Sequence, residues 1–157
     1  YYNAIDNYKR SLSLYVSLKD TLGIAKVNNS LGGVEIARGN YTIGLQYALY
    51  AIDIFERKNQ LNELSQAYRN LAIAYKKTNQ NDKALEYNNR ALEVFKLTNN
   101  NEGVKITHLD LAQLYALRNE HRKAIEYYNK AIELDPNVVT GDNARNMLKQ
   151  IKEKKPF

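Results

Sequence analysis

The stretch KALEYNNRALEVF, Lys83 to Phe95, returns forty residues later as KAIEYYNKAIEL, Lys123 to Leu134. Of the twelve shared positions seven are identical, and four of the other five exchange like for like (Leu/Ile, Arg/Lys, Leu/Ile, Val/Leu). One segment written twice at a fixed distance marks a repeat architecture, in which each unit buries its apolar face against the next. Within the first copy Ala84, Leu85, Tyr87, Ala91, Leu92, Val94 and Phe95 recur at three- and four-residue intervals. Lys83, Glu86, Arg90 and Glu93 fall mostly outside that band, which is the pattern of an amphipathic helix.

Laid out in blocks of forty from Tyr1, the whole chain aligns without a gap. Ala4, Gly44, Ala84 and Ala124 share one column; Ser11, Ala51, Ala91 and Ala131 share another. In the other half of each block Ile24, Leu64 and Val104 align, as do Leu31, Leu71 and Leu111, followed by the small residues Gly32, Ala72 and Ala112. Small side chains let two helix axes approach, and large ones interlock around them. Gly39, Asn79 and Asn119 occupy one column and tolerate the left-handed backbone that ends a helix. Thr42 and Asp82 stand where an N-cap of the next helix is expected. The periodicity predicts eight helices, over about 2–18, 21–38, 42–58, 61–78, 82–98, 101–118, 122–134 and 142–154, with short antiparallel connections.

The segment LAQLYALRNEHRKAIEYYNKAIELDP, Leu111 to Pro136, resembles a tetratricopeptide repeat. Leu111, Ala112 and Tyr115 match its first helix; Ala124, Tyr128, Ala131 and Pro136 match its second helix and the stop after it. Leu71, Ala72, Tyr75, Ala84 and Ala91 repeat the pattern, and so do Leu31, Gly32, Gly44 and Ala51, with Glu35 in place of the tyrosine. The resemblance implies an all-α, antiparallel helix-hairpin solenoid, wound as a right-handed superhelix. Its domain would cover 1–157, as a half repeat at 1–20, repeats at 21–60, 61–100 and 101–136, and a capping helix at 140–155. The period is forty residues rather than the usual 34. That longer variety is similar to repeats in bacterial signalling proteins and kinesin light chains. Ala144, Met147, Leu148 and Ile151 give the capping helix one apolar stripe. At the other end Ile5, Tyr8, Leu12 and Tyr15 are expected to lie open, covered only by an upstream repeat or by self-association.

Composition narrows the function. The 157 residues contain no Cys, which excludes disulfides, thiol catalysis and thiolate metal sites. No apolar run is long enough to span a membrane. The net charge of +6 is spread as +2, +2 and −1 over three successive blocks of forty and +3 over the remainder, which disfavours a nucleic-acid patch. No GxSxG, HExxH or phosphate-binding loop occurs, and Gly32 and Gly33 fall inside a predicted helix. His108 falls on an inward-packing face and His121 in a turn, with no carboxylate grouping beside them. Neither an enzyme, a metal site nor a cofactor is expected. The chain opens on YYNAIDNYKRSL, without Met and already helical, and so reads as a fragment of something longer. A cytoplasmic location is the default expectation.

In arrays of this family the first helix of each pair lines a concave groove. Carried over by column, that face holds Lys26, Asn29, Ser30, Gly33 and Ile36, then Gln66, Arg69, Asn70, Ile73, Lys76 and Lys77. Ile106, Leu109, Asp110, Gln113 and Leu117 follow in the third copy. Asn29, Asn70 and Gln113 offer both donor and acceptor to a peptide backbone. Arg69, Lys76 and Lys77 suit carboxylates, and Ile73, Ile106 and Leu109 an apolar anchor. The same residues also read as a plain solvated face, with Ile106 and Leu109 packed on a neighbouring helix. Only Asn70 fits the two-carboxylate clamp of the chaperone-binding members; Asn29, Gly33, Ile106 and Asp110 depart from it. A binding scaffold for a partly acidic protein or peptide is the function expected, with a sensory segment of a larger signalling protein as the alternative.

Overall fold

A computed structural model describes residues 2–136 and Lys149. Among them are seven α-helices and no strand: α1 (Tyr2–Ser17), α2 (Thr21–Ala37), α3 (Tyr41–Arg57), α4 (Leu61–Lys77), α5 (Asn81–Leu97), α6 (Asn101–Leu117) and α7 (His121–Leu134). The expected eighth helix and its capping role lie outside the described residues. Sequential helices pair antiparallel, with α2 against α3, α3 against α4 and α6 against α7. The chain forms two compact units, Tyr1–Val94 and Phe95–Phe157.

The connections follow one rule at twenty-residue intervals. Lys19, Gly39, Asn59, Asn79, Asn99 and Asn119 all have positive φ, between 51° and 87°. Each sits two residues past a helix end and closes a Schellman motif. In the turn after α2, the Gly39 amide donates to the Ile36 carbonyl and the Asn40 amide to the Glu35 carbonyl. The carbonyl of Asn40 then accepts from Gly44, the first bond of α3. One residue thus finishes one helix and starts the next. The N-caps are Asp20, Asn40, Gln60, Asn100 and Glu120. Thr42, expected as a cap, is therefore the second residue of α3, two positions past Asn40, and Asp82 is likewise the second residue of α5. Asp82 still places negative charge at a helix N-terminus, where the dipole favours it.

In the first unit Ile5, Val27 and Leu31 form a buried cluster, with Tyr8, Leu12, Tyr15, Val34 and Tyr47 packed on it. The face of α1 expected to lie open is therefore closed by α2. What α1 exposes instead is Leu14 and Val16. The α2–α3 contact is close because both helices are glycine there: a Cβ on Gly32 would lie 3.1 Å from the Gly44 carbonyl oxygen. Phe55, Leu71 and Ala67 fill the α3–α4 layer with no exposure. In the second unit Ala112, Ala124 and Tyr128 form the core, with Leu109, Tyr115, Ala116, Ile125 and Tyr127 against it.

Candidate functional site

Lys26, Asn29 and Gly33 stand on α2, and Gln66, Arg69, Asn70, Ile73, Lys76 and Lys77 on α4. The fold joins the two sets directly. Asn70 Nδ2 donates to Asn29 Oδ1 at 3.3 Å, forty-one residues apart in sequence. A Cβ on Gly33 would meet that same Asn70 Nδ2 at 3.5 Å, an ordinary contact, so the glycine is not required by crowding. Two turns towards the start of α4, Lys26 Nζ and Glu63 Oε1 pair at 2.7 Å. That hydrogen bond raises the Lys26 pKa and lowers that of Glu63.

Arg69, Asn70, Ile73 and Lys76 are half-buried; Lys26, Gln66 and Lys77 are exposed. Ile36, expected on this face, is instead buried. Its Cγ1 occupies the space left by the missing side chain of Gly44, 2.5 Å from where a Cβ would stand.

The α6 positions belong to the second unit. Ile106, Asp110 and Gln113 are half-buried and Leu117 is exposed. Leu109 packs against the Ala112, Ala124 and Tyr128 core, so its apolar surface is largely spent within the unit. Lys105, beside them, bridges Glu102 at 2.6 Å and Asp135 at 3.1 Å, tying the start of α6 to the end of α7.

Glu63 is the residue of this face that the sequence columns did not single out. Its equivalents are Gly23 and Gly103, each crowded by the ring of Tyr15 or Phe95. Each of those glycines also donates its amide to a capping side chain, Asp20 or Asn100. Gln60, ahead of Glu63, makes no such cap bond. A lone carboxylate in a glycine column was the signal.

The aromatic residues form a second repeated arrangement. Tyr75 stacks on Tyr87 at 5.5 Å, with Lys83 over Tyr75 and Arg90 over Tyr87. In the second unit Tyr115 stacks on Tyr127 at 5.4 Å, with Lys123 and Lys130 placed the same way. These pairs bind each hairpin together, since stacked rings and overlying cations each contribute about 1 kcal/mol. In the first copy Glu35 takes the tyrosine's place and is buried instead by Arg38 at 3.1 Å and Asn40 at 2.6 Å. His108 is buried beside Tyr127 with its Nδ1 unpartnered, and burial lowers its pKa to about 4, helped by Lys96 and Lys130.

Among the described residues no group of three His, Cys, Asp or Glu could hold a metal ion. No described helix is long and apolar enough to cross a membrane. Residues 23–97 and 63–137 each match the model of the tetratricopeptide repeat family. The search of curated proteins returned no match.

Proposed function

Because the chain belongs to the tetratricopeptide-repeat family, we propose that it binds an extended peptide segment of its partner across the joined faces of α2 and α4. The protein is a non-enzymatic, protein-binding helical scaffold. What supports this site is the Asn29–Asn70 hydrogen bond, which brings polar groups of two successive repeats to one surface. That bond uses one amide hydrogen of Asn70 and one lone pair of Asn29. The remaining amide donors and acceptors of the pair suit a peptide backbone. Arg69, Lys76 and Lys77 supply positive charge for an acidic partner, and Ile73 an apolar contact. In the second unit Ile106, Asp110 and Gln113 are the equivalent positions.

The two family matches are offset by forty residues, which supports the forty-residue variety. With it comes the alternative role as a regulatory segment of a larger signalling protein. Self-association is supported by α1. Its Leu14 is 58% exposed, whereas the equivalents in the next two copies, Ile54 and Val94, are 7% and 8% exposed.

The test compares affinity capture by the wild type with capture by an Arg69→Ala, Asn70→Ala, Lys76→Ala triple variant of unchanged helicity. Partners retained by the wild type and lost from the variant support the site. Identical retained sets move the site elsewhere.

A further inference from the structure

Between Arg38 and Asp53 the chain carries no charged residue, and that run makes up most of α3. Thr42, Ile43, Gln46, Leu49 and Tyr50 all face solvent there. Ile43 is 46% exposed, Leu49 43% and Tyr50 48%. The same five columns hold Asp82, Lys83, Glu86, Asn89 and Arg90 in α5, and Arg122, Lys123, Glu126, Asn129 and Lys130 in α7. Even α1 is charged in them, with Asp6, Lys9 and Arg10. In the two later hairpins the cations lie over stacked tyrosines. The first hairpin has Glu35 in place of that stack's first ring, which accounts for the lost cations but not for apolar side chains in their stead. Apolar groups exposed together on one helix face mark a contact surface.

We infer that this face of α3 binds the same face of a second copy of the chain, the two helices antiparallel about a two-fold axis beside Gln46. An interface of this kind must complement itself, and the residues do so in pairs. Ile43 and Leu49 stand three positions either side of Gln46, so each meets the other's copy, aliphatic on aliphatic. Thr42 and Tyr50 stand four positions either side, hydroxyl near hydroxyl. The Gln46 amide, both donor and acceptor, meets its own copy. At the start of α3, Thr42 and Ile43 also line an open hollow of about 280 Å³ with Gly39 and Thr78. Tyr50 of the second copy comes opposite that hollow. No charge is desolvated, a cost that α5 or α7 would incur in the same contact. A single helix face buries less than the roughly 1,200 Å² of a standard interface, so this dimer dissociates on dilution. None of these residues belongs to the α2–α4 face. The dimer therefore presents the peptide site proposed above twice, and holds a partner carrying two such segments more tightly than one copy does.

The experiment is sedimentation equilibrium of the whole chain, in a Leu14→Lys background that removes association through α1. At concentrations rising to about 500 µM this chain should pass from monomer to dimer, half-associated on the order of 100 µM. Adding Ile43→Lys, Gln46→Glu and Tyr50→Arg gives α3 the side chains that α5 carries in those columns, and should leave monomer throughout. Circular dichroism checks that helicity is unchanged. The chain has no Cys of its own, which allows a second measurement. Gln46→Cys should oxidise to a disulfide-linked dimer about tenfold faster than Glu86→Cys, its column equivalent in α5. A Leu14→Lys chain that is monomeric at every concentration overturns the inference and leaves the face to a different protein. A triple variant that still dimerises, or equal oxidation rates at the two cysteines, overturns it as well.

Discussion

Gly44 sits so close to α2 that a Cβ added to it would lie 2.9 Å from the Gly32 carbonyl oxygen and 2.5 Å from Ile36 Cγ1. The equivalent columns in the later copies hold Ala72 with Ala84 and Ala112 with Ala124. The first hairpin is therefore drawn tighter than alanine permits. Gly44→Ala should destabilise by about 1–3 kcal/mol through overpacking, although alanine is the better helix former by about 1 kcal/mol. Gly33→Ala is the contrast. Its Cβ would make only an ordinary contact with Asn70, so it should stabilise by up to about 1 kcal/mol. Urea unfolding of the two variants should move in opposite directions.

At the left-handed turn positions, Lys19 has φ 54° with a side chain that disfavours it. Lys19→Gly should raise stability by up to about 1 kcal/mol, and Gly39→Ala, at φ 87°, should lower it by a similar amount. Thermal midpoints of both variants against the wild type decide the matter.

His108 links stability to acid. Burial, and then Lys96 and Lys130, depress its pKa from the ordinary 6.5 to about 4 in the folded state. The folded chain therefore binds fewer protons than the unfolded one between those values. The stabilisation is fully present above pH 6.5 and is lost as the pH falls through 4. Its size is on the order of 2 kcal/mol. His108→Asn, which copies Asn28 of the first copy, should flatten that part of the stability–pH curve relative to the wild type. An unchanged curve would remove His108 as its source.

Tyr68 titrates in the opposite sense. Burial, then its 2.5 Å hydrogen bond to Glu56 Oε1, raises its pKa to about 12. The neutral phenol is the form the fold favours, so the contribution is complete below pH 10 and lost as the pH rises through 12. An ultraviolet titration of the tyrosines should contain a late component, shared with Tyr87, Tyr127 and Tyr128, that Tyr68→Phe reduces by one residue. The same variant should cost about 1 kcal/mol, the net value of one hydrogen bond.

The hairpins were legible because packing columns must repeat: Leu31, Leu71 and Leu111 have 2% exposure or less. Helix ends were less so. Gly39 and Asn119 announce themselves as left-handed residues, but Thr42 looked like a cap only because a separate capping residue was assumed. The Schellman geometry merges that role into Asn40, and α3 starts earlier. Glu63 is absent from the expected groove and Ile36 wrongly present in it for a common reason. Each side chain's destination is set by a residue on another helix, Lys26 or Gly44, which no spacing rule along one segment encodes.

A turn in which one residue serves two helices has a mechanical consequence. The Asn40 amide closes α2 while its carbonyl opens α3, so α2 cannot fray from that end without uncapping its neighbour. Opening therefore spreads hairpin by hairpin instead of stopping at a loop. Amide protons on either side of Gly39 should exchange with solvent as one group, as members of one cooperative unit do.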